Sequence, residues 1–219
     1  MRTKAEIIAR LTNPGVIAVV RAQKQEQVGP LSEALLAGGV VAIEITMTTP
    51  DAIAAIREAR AAFGERAVIG VGTVLDVLTC RHALEAGAEF VVSPILRPEL
   101  VAPCQQADKP VMLGAFTPTE AQLAHEAGAD FIKLFPSDSL GSAFIKAIRA
   151  PLPHLKIIPT GISDPKQVPE LIKAGCVAVG VGSLLAGADI LREANWIELT
   201  RRAAQFVGLV RQGRATAPV

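Results

Sequence analysis

The sequence predicts an α/β fold, a TIM-type (β/α)8 barrel with an extra N-terminal helix, on three observations. Eight short β-branched runs alternate with longer runs of helical periodicity. The strand candidates are almost continuously apolar, as strands covered on both faces must be. No GxGxxG opens the first helix, which weighs against a doubly wound open sheet.

Taken in chain order, "AEIIARL" (5–11) is expected to cap the bottom of the barrel. The strands are read as "VIAVVRA" (16–22), "VVAIEITM" (40–47), "AVIGVGTV" (67–74), "FVVSP" (90–94), "PVMLGA" (110–115), "FIKLFP" (131–136), "KIIPTG" (156–161) and "VAVGVGSLL" (177–185). Between them, "DAIAAIREARAAFG", "VLTCRHALEAG", "TEAQLAHEAG" and "PKQVPELIKAG" repeat apolar residues at three and four, the spacing of one buried helix face. Thr49-Pro50-Asp51, Thr117-Pro118-Thr119-Glu120 and Ser163-Asp164-Pro165 offer capping side chains, with proline where its missing N–H costs least. Ala-Gly pairs ending at Gly38, Gly87, Gly128 and Gly175 are expected to close helices, glycine supplying the left-handed turn. Their spacing of about 45 residues matches two βα units. No linker interrupts the pattern, so 1–219 reads as one domain, with "RQGRATAPV" (211–219) as a frayed tail.

The 219 residues carry a net charge of only +1, one tryptophan and no tyrosine. With no basic run and no aromatic platform, nucleic acid is not an expected partner. "MRTKAEIIARLTN" has no apolar stretch of the secretory kind, and no run is long enough to span a bilayer, so a cytoplasmic protein is expected. Cys80, Cys104 and Cys176 are far apart in sequence and read as small buried residues of a reducing compartment. His82, His125 and His154 read as surface residues, and no spacing suits a metal.

Charges inside strands are the unusual feature. A dry strand tolerates an ionised group only with a partner. Apart from Lys156 at a strand entry, the strands hold three: Arg21, Glu44 and Lys133. A buried ion-pair network that only holds register is one reading. The functional reading is favoured because Thr48, Thr73, Ser93, Thr117 and Thr160 stand at other strand ends, where barrels build their sites. Desolvation and a nearby cation such as Arg21 both favour the free amine of a lysine, which attacks a carbonyl to give an imine. Glu44, the one carboxylate within a strand, is the candidate proton carrier. "PTGIS" (159–163) and "GVGS" (180–183) expose backbone N–H groups where barrels seat phosphate, and Arg21 is placed to reach the same anion.

Together, "GVIAVVRA", "EITMTTPDAI", "GVGTVLD", "GAEFVVSP", "GAFTPTEAQLAHEAGADFIKLFPSD", "IIPTGIS" and "AVGVGS" resemble the bacterial 2-keto-3-deoxy-6-phosphogluconate (KDPG) aldolase family, from about Gly15 to Leu185. That family includes 4-hydroxy-2-oxoglutarate (KHG) aldolases and the galactonate-derived (KDPGal) counterpart. The resemblance implies a class I aldolase on a TIM barrel, a homotrimer with no metal or other cofactor, acting on a small keto acid. By the same resemblance Lys133 matches the Schiff-base lysine and Glu44 the proton-shuttling carboxylate. Thr73 matches a residue that holds the pyruvyl carboxylate, Pro94 and Phe135 line the carbonyl pocket, and Thr160 lies near the substrate hydroxyls. Gly161, Gly182 and Ser183 match the phosphate cradle. Two departures stand out. Thr48 replaces an arginine that holds the carboxylate in some members, removing a charge-assisted contact worth roughly 1.5–3 kcal/mol. Ile162 follows Gly161 where many members read "PTGG", and its side chain is expected to crowd the phosphate-binding amides. A phosphosugar isomerase or epimerase, or a non-catalytic binder of sugar acids, are the rival readings.

Overall fold

Alternating short apolar strands and helices must bury both faces of a parallel sheet, and a barrel does so with helices outside and the sheet closed on itself within. The computed structural model, which describes residues 2–216, has that arrangement. Strands β1 (Val16–Val20), β2 (Ala42–Thr46), β3 (Val68–Gly72), β4 (Val91–Val92), β5 (Val111–Ala115), β6 (Phe131–Leu134), β7 (Ile157–Pro159) and β8 (Val179–Val181) are all parallel, in the order β7-β6-β5-β4-β3-β2-β1-β8. A bridge between Thr160 and Gly180, with Val177 N donating to Ile157 O at 3.1 Å, closes β7 onto β8. The expected eight-stranded barrel is therefore present, with strands trimmed at both ends.

Around it run α1 (Lys4–Thr12), α2 (Val28–Ala37), α3 (Ala52–Phe63), α4 (Val77–Glu85), α5 (Val101–Gln106), α6 (Pro118–Glu126), α7 (Gly141–Arg149), α8 (Gln167–Lys173), α9 (Ala188–Glu193) and α10 (Trp196–Ala215). Among the described residues, no helix is long and apolar enough to cross a membrane.

The period of two along each strand sorts side chains into two cores. Ile43, Ile45, Ile69 and Val71 face the helices, whereas Ile17, Val68, Phe90, Met112, Phe131 and Ile158 fill the lumen. Into the bottom of that lumen α1 lowers Ile7 and Leu11, both fully buried. The helix is fastened there by polar contacts. Thr3 and Glu6 form a capping box, Arg2 donates to the carbonyls of Glu65 (2.8 Å) and Ala67 (3.1 Å), and Lys4 pairs with Asp130 at 2.8 Å. Arg2 and Arg60 both reach buried Glu89, at 3.0 and 3.4 Å.

Local punctuation behaves mostly as the residues dictate. Thr117 and Glu120 form a capping box on α6. Asp51, by contrast, makes no side-chain cap on α3, whereas Asp164 accepts from Lys166 N at 2.9 Å just ahead of α8. Gly87, Gly128 and Gly175 turn left-handed after their helices, but after α2 that role falls to Gly39 (φ +85°), Gly38 remaining at φ −83°. The reason is packing. A side chain at Gly38 would lie 2.6 Å from Thr200 O and overlap Ala203, so α10 needs that surface bare.

One further expectation is corrected. The sequence from Arg211 is helical through Ala215, not frayed; Gly213 packs on α8, and Arg214 donates to the carbonyls of Thr12 and Val177. Residues 217–219 lie outside the described part. Cys80 and Cys104, distant in sequence, meet with sulfurs 3.7 Å apart because α4 and α5 pack together. Burial pushes the Cys176 thiol up to about 12. His125 and His154 are exposed, as expected, with ring centres 4.6 Å apart.

The Gly213 contact yields a direct test. A Cβ there would stand 2.8 Å from both Ile172 Cβ and Pro169 O. Gly213→Leu is expected to cost about 1–3 kcal/mol by overpacking, read as a lower urea midpoint. An unchanged midpoint would show that α10 is not seated on α8 in this way.

Candidate active site

Barrel geometry decides which side chains can meet. β2 and β6 stand on opposite walls, four strands apart in the sheet order. Inward positions along β2 are Ala42, Glu44 and Thr46; along β6 they are Phe131 and Lys133. Ala42 and Phe131 belong to the lumen core, so the next inward pair, one layer higher, is Glu44 and Lys133. Their side chains are long enough to cross. Lys133 Nζ lies 3.5 Å from Glu44 Oε1, with the side chains 4% and 3% exposed. Glu44 Oε1 has no hydrogen-bond partner, so its approach to the amine is that of an ion pair.

The neighbours of this pair are small or aromatic. Lys133 is flanked on β5 by Gly114 and on β7 by Ile158. Phe135, just beyond β6, sets its ring 5.6 Å from Nζ, within reach of a cation–π contact. Pro94 lies beside Gly114 so closely that a Cβ on the glycine would overlap the Pro94 carbonyl, and Gly114 N donates to Ile95 O at 3.2 Å. An amine among apolar walls, with one carboxylate to take or return a proton, is equipped to add to a carbonyl.

Above this layer is the mouth. Thr73, half-buried after β3, has φ +60°, an uncommon conformation for a β-branched residue that costs of order 1–2 kcal/mol and concentrates at functional sites. Thr48 is exposed; its hydroxyl lies 2.7 Å from that of buried Thr46, which donates to Val20 O. Thr46 was not singled out by the sequence, although period two from Glu44 points to it. Thr160 is buried, and Ser137 N donates to its carbonyl at 2.9 Å.

Two expectations about the mouth change. Arg21 is not a strand residue, because β1 ends at Val20; it is exposed, with a guanidinium nitrogen 3.2 Å from where a Gly182 Cβ would stand. The charged neighbour of Lys133 is thus Glu44, while Arg21 overhangs the β8 loop. Ile162 does not crowd the amides. Its side chain is 6% exposed and packs in the outer core against the helices. The amides of Gly161, Ile162 and Ser183 donate to no protein acceptor among the described residues. At Gly161, with φ +86°, a Cβ would stand 3.5 Å from the Phe135 ring, which sets the β7 loop beside the lysine pocket. Among the described residues no three His, Cys, Asp or Glu side chains cluster as metal ligands would.

Comparison with known proteins agrees with this geometry. The family model described as KDPG and KHG aldolase matches residues 7–202. The 2-dehydro-3-deoxy-phosphogluconate aldolase of Treponema pallidum is 33% identical over 208 residues, spanning 93% of this chain and 97% of the relative. The 2-dehydro-3-deoxy-6-phosphogalactonate aldolase of Escherichia coli is 32% identical over 199 residues, spanning 90% and 95%. The crystal structure of KDPG aldolase from Legionella pneumophila, with pyruvate captured as a covalent carbinolamine, superposes with a TM-score of 0.82 at 30% identity, covering 90% and 96%. In fold, in extent and in sequence, then, the barrel that brings Lys133 to Glu44 belongs to the KDPG and KHG aldolase family.

Proposed function

We propose that this protein is a metal-independent Schiff-base aldolase that cleaves KDPG to pyruvate and glyceraldehyde 3-phosphate. The observation that carries the reading is the buried approach of Lys133 to Glu44 at 3.5 Å. Lys133 Nζ, its proton passed to Glu44, adds to the C2 ketone. Glu44 returns its proton to the carbinolamine hydroxyl, which leaves as water and gives an iminium ion. That cation draws the electron pair of the C3–C4 bond, while Glu44, directly or through a water, takes the C4 hydroxyl proton. The aldehyde departs, the enamine regains a proton at C3, and water releases pyruvate from the lysine.

Each end of the substrate has a matching wall. Thr73 offers a hydroxyl to the pyruvyl carboxylate, and Thr48 joins it when its own turns away from Thr46, whose proton is committed to Val20 O; Pro94 and Phe135 lie against the carbon skeleton. Thr160 faces the hydroxyl-bearing carbons. The free amides of Gly161, Ile162 and Ser183, with Gly182 beneath Arg21, form the seat for the phosphate. That one-sided collection of donors favours a phosphorylated acid over 4-hydroxy-2-oxoglutarate. The galactonate-derived epimer differs only at C4, so it belongs in any substrate panel.

The family resemblance also implies a homotrimer, and the surface supports self-association. Leu75, Ile95 and Phe116 follow β3, β4 and β5; with Leu78 at the start of α4 they are 43–64% exposed.

Three outcomes follow from this reading. Borohydride added with pyruvate is expected to attach to Lys133 the mass of one pyruvate less one oxygen. Lys133→Ala abolishes the adduct, and Glu44→Gln retains the fold while slowing turnover about 10²–10⁴-fold. An unmodified Lys133, or full turnover in Glu44→Gln, removes that residue from the chemistry. In a panel of keto acids, Arg21→Ala is expected to raise KM for phosphorylated substrates and leave that for unphosphorylated ones unchanged; equal effects would detach Arg21 from the phosphate. Light scattering is expected to give a mass of three chains, reduced to one in Leu78→Glu, and a one-chain mass for the unsubstituted protein would exclude the trimer.

A further inference from the structure

For two side chains to meet across a barrel, the lumen between them must be empty of others. The layer that holds Glu44 and Lys133 meets this demand with glycine. On β3, inward positions are Val68, Gly70 and Gly72; on β5 Gly114 flanks the lysine, and on β8 Gly180 flanks Thr160. These glycines have different neighbours. A Cβ at Gly70 would overlap the Phe90 ring in the apolar core below. A Cβ at Gly72 would overlap Glu44 Oε1 and lie 2.6 Å from its Cδ and 2.7 Å from its Cγ. Glu44 thus leans across β3 and rests its carboxylate on the bare backbone of Gly72. The oxygen lying on that glycine is the same one that approaches Lys133, and it has no hydrogen bond to hold it elsewhere.

We propose that Gly72 is a positioning residue for proton transfer: its missing side chain leaves the space that sets Glu44 Oε1 beside Lys133 Nζ. The inference rests on the reading of Glu44 as proton carrier and adds what places it there. The glycine conformation is not the reason, since Gly72 is an ordinary strand residue with no positive φ. Space is the reason. The three atoms nearest to such a Cβ all belong to the Glu44 side chain. The fold can therefore absorb a methyl group by moving the carboxylate, which is the displacement that chemistry does not tolerate. Misplacing a reacting group by about 1 Å can cost on the order of 10²-fold in rate.

The test is a double-substitution cycle of Gly72→Ala with Glu44→Asp, the shorter side chain withdrawing its carboxylate from the space over residue 72. Three readouts are taken: kcat and KM for cleavage, exchange of pyruvate methyl protons with D2O, and the urea midpoint. Gly72→Ala alone is expected to lower kcat and exchange about 10²-fold, with KM within about twofold. Combined with Glu44→Asp, it is expected to cost little beyond Glu44→Asp alone, because the clash is gone. In urea, Gly72→Ala should lower the midpoint of the Glu44 protein and leave that of the Glu44→Asp protein nearly unchanged. Wild-type kcat in Gly72→Ala, or losses that multiply in the double variant, would overturn the proposal. Should the unsubstituted protein fail to form a borohydride adduct with pyruvate, the aldolase reading falls instead, and the urea cycle still decides whether Gly72 positions Glu44.

Discussion

A single ion pair, Lys133 with Glu44, spans the lumen from β6 to β2, and the upper half of the barrel is arranged around it. Such a pair is not a device for stability. Desolvating two charges costs about what their attraction returns, and apolar residues of equal volume would serve the fold as well. Once one partner is present, however, the other is obligatory, because a lone buried charge costs roughly 3–5 kcal/mol. The pair therefore constrains everything near it: glycines at Gly72 and Gly114 make room, Phe135 shields the amine, and the other buried charge among the described residues, Glu89, is paired with Arg2 at the base.

The lower half of the barrel has the opposite composition. Ile17, Val68, Phe90, Met112, Phe131 and Ile158 close-pack the lumen, and α1 seals it with Ile7 and Leu11. Arg2 and Lys4 lock that seal to Glu89 and Asp130. A stoppered base has a consequence for chemistry. Solvent and substrate reach the lysine from the mouth, where the loops after the strands can select among them.

Those loops divide the labour by strand. Hydroxyls and one strained threonine gather after β2 and β3, apolar groups after β4 to β6, and bare amides with an arginine at β7, β8 and β1. An elongated acid with a carboxylate near the amine and a dianion at its far end complements that distribution. Under the proposed function, Thr48, a neutral hydroxyl, leaves the ionic recognition of substrate to the Arg21 side. Ile162 illustrates how a departure at the level of sequence can be silent in space: its side chain packs outward, and its amide has no protein acceptor among the described residues.

Much of this was legible in the residues alone. Alternating apolar runs point to eight parallel strands covered on both faces, the count of eight favours closure, and a charge within such a run marks a site. Glu44 and Lys133 could be named that way. Their meeting could not, because β2 and β6 are adjacent only across a closed lumen, and closure is a property of the whole sheet. The same limit hid the role of Gly72, whose neighbour Glu44 lies 28 positions earlier in the chain. It also misplaced Arg21, because the ladder stops at Val20, whose carbonyl accepts from the Thr46 hydroxyl, a contact that no local sequence signal announces. Periodicity and composition determine which faces are dry; only the assembled barrel decides which side chains share the space inside.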